Sequence, residues 1–334
     1  MTTDRSAPER PPAPPPEVDA PRLGGSRRSR LGDRIFAGMS RGSATLVLII
    51  LAAIALFLLK EAIPAINKDT VNWITYKGWA PDDIPSKWGI AALLYGTVMT
   101  SVLSLIMAVP VAVGVALWLT NYAPRRLARP LGYLIDLLAA VPSVVFGLWG
   151  LVWLVPHMIP VSAWLSKYFG WIPIFESNGA FGKSIFTASV LLAIMILPII
   201  AAVSREVFLQ VPPDHKEAAW ALGSTRWEMI RMAVLPYGRP GIISAAVLGF
   251  GRALGETIAV ALVLSANYEI SRKILEPGGN TIAANIANTF GEAGTVGRGA
   301  LIASGLVLFV LTLIVNFGAR AIIARRKEFR ASAI

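Results

Sequence analysis

The sequence predicts an all-α membrane protein with about six transmembrane helices. Of its 334 residues, 55% are hydrophobic and only 15% are charged, and the mean hydropathy is +0.61. This composition is too apolar for a water-soluble domain of the same length. Several apolar stretches also reach the roughly 20 residues that a helix needs to cross a hydrocarbon core of about 30 Å. Most of the chain is therefore expected to lie in a bilayer.

Six apolar stretches are long enough to span. Their predicted bounds are 43–66, 90–121, 131–158, 184–210, 241–267 and 299–320. The second contains Pro110, so it must tilt, kink or extend beyond the bilayer. Residues 1–42 are rich in Pro and Arg and lack an aliphatic run, which predicts a disordered tail. The first span is too long for the apolar core of a cleaved signal peptide, so it is interpreted as an uncleaved helix.

Lys and Arg are distributed unequally about the predicted membrane. If the N-terminal tail is cytoplasmic and the chain crosses six times, 21 of the 31 Lys and Arg residues fall on the cytoplasmic side and nine on the other. The positive-inside rule then predicts a multi-pass protein of the plasma (inner) membrane with both termini in the cytoplasm. The same bias accounts for the net charge of +11, so no nucleic-acid partner is expected.

Two loops on the opposite side of the membrane, 68–87 and 162–177, are rich in Trp and Tyr. Amphipathic rings of this kind are typical of a bilayer interface. A docking surface for a soluble partner is the alternative interpretation.

The composition argues against catalysis and cofactor binding in this chain. Cysteine is absent and the two histidines, His157 and His215, lie far apart, so neither a thiolate site nor a zinc site is expected. Gly182, Lys183 and Ser184 suggest a Walker loop, but Ser177 stands where that loop requires glycine. We therefore expect no enzyme activity and no cofactor here, and any ATP hydrolysis must come from another chain.

The predicted cytoplasmic loop, 211–240, contains two short helices. Asp214, with Glu217 three residues later, is predicted to cap the first helix, and Gly223 is predicted to end it. Thr225 and Glu228 have the spacing of a capping box at the start of the second. A compact helix pair of this kind suits the transmission of motion to a cytoplasmic partner.

The second helix of this loop carries an apolar stripe. Trp227, Ile230 and Val234 are predicted to lie on one face, and Pro236 is predicted to stop the helix. An amphipathic linker that lies on the membrane surface is the alternative interpretation of the whole loop.

The loop resembles the EAA signature of ABC importer permeases, which reads EAA, three residues, Gly, nine residues, Ile, one residue and Leu-Pro. The matching residues are Glu217, Ala218, Ala219, Gly223, Leu235 and Pro236. Ala233 stands where the signature has Ile, which exchanges one apolar residue for another. The resemblance implies a type I ABC importer permease (MetI-like) fold, in which this loop is the coupling helix that docks in a groove of the ATPase.

Two further segments resemble the phosphate-specific permeases of this superfamily, and their C-type subunit in particular. They are PSVVFG at 142–147 and GRALGET at 251–257. The resemblance covers about residues 90–325. It implies inorganic phosphate as the substrate, a related second permease subunit, a pair of ABC ATPase chains and an extracytoplasmic phosphate-binding protein.

Arg252 and Glu256 form the only opposite-charge pair deep in a predicted span. At i, i+4 they are expected to lie on one helix face and to meet. Ionisable residues in the membrane are costly and mark interior or water-filled paths, and a guanidinium matches phosphate oxygens. We therefore predict that both residues line the substrate path; a buried ion pair that only fixes helix packing is the alternative. Asp136 is interpreted as an interfacial or packing residue.

Three rival functions remain open. A permease of the same fold for sulfate, molybdate or a peptide would share every feature except the substrate. A secondary transporter or channel would leave the EAA-like loop unexplained, and the two halves show no inverted repeat. An intramembrane enzyme would need a nucleophile and base or a metal cluster, and neither is found.

Overall fold

The computed structural model describes residues 27–331, and the first 26 residues of the predicted disordered tail lie outside this range. From Arg27 onward the chain is helical, so the predicted end of the tail at residue 42 is wrong. The sequence has no proline between residues 22 and 63, and the helix of the first span therefore extends backward without interruption. The chain divides after Ile54 into two compact units, and the sites described below belong to the second, Ala55–Ile334.

The described residues are helical apart from two very short strands and the connecting loops. The helices are α1 Arg27–Lys68, α2 Ala91–Asn121, α3 Arg125–Ala139, α4 Ser143–Trp149, α5 Val155–Phe169, α6 Ile185–Leu209, α7 Pro213–Ala221, α8 Arg226–Met229, α9 Leu235–Leu254, α10 Ile258–Val263, α11 Ile282–Thr289 and α12 Thr295–Ala331. The strands β1 (Trp79–Ala80) and β2 (Lys87–Trp88) are antiparallel, with Trp79 opposite Trp88.

Six segments are long and apolar enough to cross a membrane, which confirms the predicted number. They are Arg34–Lys68, Ala91–Asn121, Ser143–Phe169, Ile185–Leu209, Arg226–Leu254 and Thr295–Ala321. The third and fifth differ from the predicted bounds, and both differences have a local cause.

The third span begins later than predicted. Helix α3 ends at Ala139, and Pro142 adopts an extended conformation (φ −60°, ψ 138°) before α4 begins. The predicted span 131–158 therefore joined the end of α3 to the true span. From Ser143 the helix continues to Phe169 through one π-helical turn, Gly150–Leu154, in which the Val155 N–H donates to the Gly150 carbonyl. The wider turn accommodates Pro156, which has no N–H to donate.

The fifth span is displaced for a related reason. Pro236 does not stop the helix as predicted, because a second π-helical turn, Ile230–Val234, precedes it and the Leu235 N–H donates to the Ile230 carbonyl. Helices α8 and α9 thus form one continuous segment from Arg226. That segment ends at Leu254, and α10 begins only at Ile258.

Helix α6 lies at the centre of the packing, between α2 and α9. The contacts use small residues, among them Ala108, Ala112, Ala201 and Ala245, all fully buried, as is typical of close helix packing in membranes. A Cβ on Gly241 would meet Val207, and one on Gly249 would meet Ile200, which shows that α9 runs antiparallel to α6.

One end of the bundle carries the β1–β2 pair and is called the sheet end. Here the chain after α10 and helix α11 cover the beginning of α2. Tyr268 donates a hydrogen bond to Asn285 Oδ1 (2.8 Å), Asn280 donates to the same oxygen (3.1 Å), and the Ile282 N–H donates to Thr97 Oγ1 (3.0 Å). Burial raises the pKa of the Tyr268 phenol.

The aromatic residues of the loop between α1 and α2, at the sheet end, pack against one another. Trp88 is fully buried, and its ring centroid lies 5.9 Å from Trp73 and 5.8 Å from Trp79. Trp79 in turn stacks on Tyr268 at 6.3 Å. These rings form one packed aromatic cluster. Trp171, in the loop between α5 and α6, is exposed.

Candidate coupling and translocation sites

The loop between α6 and α9 forms the opposite end of the bundle, called the α7 end. Helix α7 begins at Pro213 with Pro212 as its N-cap, and no side chain accepts a hydrogen bond there. The predicted cap by Asp214 is therefore wrong. Proline is favoured in the first helical position because its missing N–H would be unpaired in any case, and Asp214 lies in the first turn, where a negative charge is favourable.

Gly223 ends α7 as predicted. Its φ of +77° is in the left-handed region that favours glycine. The Gly223 N–H donates to the Trp220 carbonyl (2.9 Å), and the Ser224 hydroxyl donates to the Ala219 carbonyl (2.7 Å). The chain therefore turns sharply between α7 and α8.

The predicted capping box at the start of α8 is confirmed. Glu228 Oε2 accepts from both the N–H and the hydroxyl of Thr225, each at 2.8 Å, and the Glu228 N–H donates to Thr225 Oγ1 at 3.4 Å. Both the turn and the helix start are thus fixed by residues that are neighbours in sequence.

The α7–α8 pair is anchored by one face. Ala219, Ile230 and Val234 pack in a cluster with Phe208 of α6 and Ala116 of α2. Two members of the predicted apolar stripe, Ile230 and Val234, are fully buried there. The pair is therefore attached to the ends of two spans.

The opposite face of the pair is exposed and apolar. Trp220, Leu222 and Trp227 are 49%, 86% and 57% exposed, and Glu217 and Ala218 are exposed beside them. The prediction that Trp227 lies on the same face as Ile230 and Val234 is wrong, because those two residues are fully buried while Trp227 is exposed. Sequence reasoning missed Trp220 and Leu222, although large apolar residues beside the EAA motif were the available signal.

The two charged residues predicted to meet in span five are separated by a helix break. Helix α9 ends at Leu254, so Arg252 lies in its last turn and Glu256 lies beyond it. Arg252 is exposed, whereas Glu256 is only 9% exposed. Within residues 27–331, no ion pair joins them, and the predicted i, i+4 contact is wrong because the helix is not continuous.

The break lies close to the level of the middle of α6, one of the six candidate spans. Gly249 packs against Ile196 and Ile200, at the middle of α6, and Arg252 follows three residues later, about 4–5 Å along the axis at 1.5 Å per residue. Irregular backbone at this depth is tolerated where it is packed in protein or lines a water-filled cavity. Broken helices of this kind form substrate sites in many transporters.

The first segment that resembles phosphate permeases packs against the helix that follows the second. Gly147 of PSVVFG packs against Ala259 and Leu262 of α10, which directly follows GRALGET. A side chain at position 147 would collide with the α10 backbone. The close approach of α4 to α10 therefore fixes the position of the segment that contains Glu256.

Asp136 pairs with Arg205. The Arg205 Nη2 atom lies 3.4 Å from Asp136 Oδ2 and 2.8 Å from Glu206 Oε1. The first contact links α3 to α6, as expected of a packing residue. Among the residues that the structure describes, no group of three or more His, Cys, Asp or Glu side chains could hold a metal ion.

Comparison with known proteins places the chain in a family. Residues 108–328 match the family described as binding-protein-dependent transport system inner membrane component. The phosphate transport system permease protein PstC 2 of Mycobacterium tuberculosis is 44% identical over 301 residues, covering 89% of this chain and 93% of that protein. The PstC permease of Xylella fastidiosa is 41% identical over 320 residues, covering 94% and 98%.

Two solved structures share the fold. A bacterial alginate ABC transporter chain aligns with a TM-score of 0.56 at 18% identity, covering 89% of this chain and 96% of that one. A chain of the MetNI methionine ABC transporter aligns with a TM-score of 0.50 at 18% identity, covering 71% and 94%. The predicted permease fold is confirmed, and the chain belongs to the family of binding-protein-dependent transport system inner membrane components.

Proposed function

We propose that this chain is the permease subunit of an ATP-driven importer of inorganic phosphate. Its partners are a second permease of the PstA type, an ATPase pair of the PstB type that binds the ATP, and an extracytoplasmic phosphate-binding protein of the PstS type. Both termini and the α7 end face the cytoplasm. The names of the relatives at 44% and 41% identity support phosphate as the substrate.

One geometric observation carries the mechanism. Helix α8 of the exposed α7–α8 pair is the start of the span Arg226–Leu254, so a single helical segment connects the coupling surface to the break that contains Glu256. A rigid helix transmits displacement along its length, whereas a flexible loop would absorb it. Movement of an ATPase groove around Trp220, Leu222 and Trp227 would therefore shift the position of Arg252.

Arg252 is the proposed anion-binding residue. It lies in the last turn of α9, close to the level of the middle of α6, and is exposed on the isolated chain. An exposed guanidinium at that depth requires an aqueous path or a partner subunit. Its planar fork can donate two hydrogen bonds to phosphate oxygens. Glu256, within the break, has no ion-pair partner in the described part of the chain and can offset the arginine charge when the path rearranges.

The proposal is tested by phosphate uptake in cells that express the whole transporter. Arg252→Ala and Glu217→Ala should abolish uptake while the chain still inserts, because one removes the anion ligand and the other alters the coupling surface. The matched controls are Arg239→Ala, an exposed arginine on the same helix, and Asp214→Ala, an exposed carboxylate on α7; both should retain uptake. Normal uptake in Arg252→Ala would contradict the assigned path.

Further measurements test the guanidinium fork and separate the rival functions. Arg252→Lys keeps the charge but loses the fork, so it should also lower uptake. Uptake should require the ATPase subunits, which a secondary transporter or channel would not need. Transport of sulfate or molybdate in place of phosphate would assign a different anion to the same mechanism.

A further inference from the structure

A cavity at the α7 end is not part of the coupling surface or the translocation path. It has a volume of about 360 Å³ and lies between the ends of α2 and α6 and the helix α3. Its polar lining is formed by Thr120, Arg129, Tyr133, Asp136 and Arg205, and its apolar lining by Leu119, Ala128 and Leu209. The lining holds two arginines and one carboxylate, and the Glu206 carboxylate pairs with Arg205 beside it.

Both arginines retain unused donors. Arg205 directs Nη2 at the two carboxylates of Asp136 and Glu206, while its Nε is buried without a partner. Its Nη1 likewise has no hydrogen-bond acceptor in the described part of the chain. Arg129 takes part in no ion pair or hydrogen bond there either. Arg129 and the Nη1 atom of Arg205 can therefore still donate to an oxyanion that enters the cavity.

The position of the side chains is built into α3. Gly132 lies directly over the Arg205 guanidinium, and a Cβ at that position would collide with Nη1. The glycine thus lets Arg205 reach beneath α3. The same helix begins with Arg125, Arg126 and Arg129 and exposes apolar residues, among them Leu134 and Leu137, a pattern typical of a helix that lies in a membrane interface.

We propose that this cavity binds a phosphate group, presented either by an anionic phospholipid or by inorganic phosphate. Arg129 and Arg205 supply the donors. Leu119 and Leu209 supply an apolar wall that fits the glycerol and the first acyl carbons of a lipid. Basic pockets between spans on the cytoplasmic side are suited to anionic headgroups. The site is separate from the Arg252 path, so it does not depend on phosphate being the transported substrate.

The test uses the complete purified transporter and two probes. Native mass spectrometry counts the phosphatidylglycerol and phosphatidylcholine molecules that remain bound, and equilibrium dialysis of the delipidated complex measures inorganic phosphate. Arg129→Gln removes one ligand, and Gly132→Ala displaces Arg205 without changing any charge. Arg239→Gln, an exposed arginine outside the cavity, is the control.

If a lipid is the ligand, retained phosphatidylglycerol should fall by about tenfold in Arg129→Gln and Gly132→Ala, the loss expected from one charge-assisted hydrogen bond. Phosphatidylcholine and the control should not change. If inorganic phosphate is the ligand, lipid retention should stay constant and phosphate binding should fall in both variants. Unchanged binding of both probes in both variants would overturn the proposal.

Discussion

Gly223→Ala is expected to weaken coupling through backbone conformation alone. The φ of +77° places Gly223 in the left-handed region, which costs an L-residue about 1–2 kcal/mol. An added Cβ would meet no atom within 4 Å, so no steric term adds to this cost within the chain. A penalty of this size lowers the population of the turn by roughly 5- to 30-fold.

The measurement is the affinity of the purified permease complex for its ATPase subunits, together with phosphate uptake. Gly223→Ala should weaken both. Gly223→Asn should recover much of the loss, because asparagine tolerates the left-handed region. Gly291→Ala is the control, since that glycine is exposed, has open space and lacks a positive φ. Equal losses in the Ala and Asn variants would refute the conformational argument and indicate instead that a partner contacts the glycine directly.

Three further substitutions test the packing. Asp82 Oδ2 and Oδ1 accept from two N–H groups at the start of α12, each at 2.8 Å. Asp82→Ala should therefore lower the midpoint of thermal unfolding, by the equivalent of about 1.5–3 kcal/mol. Asp83→Ala, its exposed neighbour, should not. Gly96→Ala would place a Cβ against the Asn280 carbonyl. Overpacking of this kind should lower the stability of the protein by about 1–3 kcal/mol, and unchanged stability would show that the loop containing Asn280 moves freely. Thr225→Ala should destabilise the start of α8 by about 1 kcal/mol, because it removes the N-cap of that helix. The loss should be detectable as weaker ATPase binding, and Thr225→Ser should restore the binding.

Features that depend on neighbouring residues were predicted correctly. The number of spans follows from the length of each apolar stretch, because the bilayer thickness sets that requirement regardless of tertiary contacts. The Thr225–Glu228 box and the Gly223 turn were predicted for the same reason, since each depends on residues within a few positions. Asp214 shows the limit of such reasoning, because α7 begins at Pro213 and its N-cap is Pro212, two residues before the predicted cap.

The sequence also pointed to Arg252 and Glu256 as the charged residues of span five, but their arrangement depended on the rest of the molecule. Proline alone does not determine where a helix stops: Pro142 separates two helices, whereas Pro236 continues one because a π-helical turn absorbs its missing hydrogen bond. A pattern of residue types cannot distinguish these outcomes.

The sequence by itself determined the membrane class, the number of spans, the Thr225–Glu228 capping box, the Gly223 turn and the family motifs, all of which are local. The tertiary structure decided that Ile230 and Val234 are buried while Trp227 is exposed, that α9 breaks after Leu254, and that α10, after the break, packs against Gly147. Backbone groups released by a break inside the bilayer must be shielded or hydrated by something nearby. Where a helix can break is therefore determined by the helices that surround it.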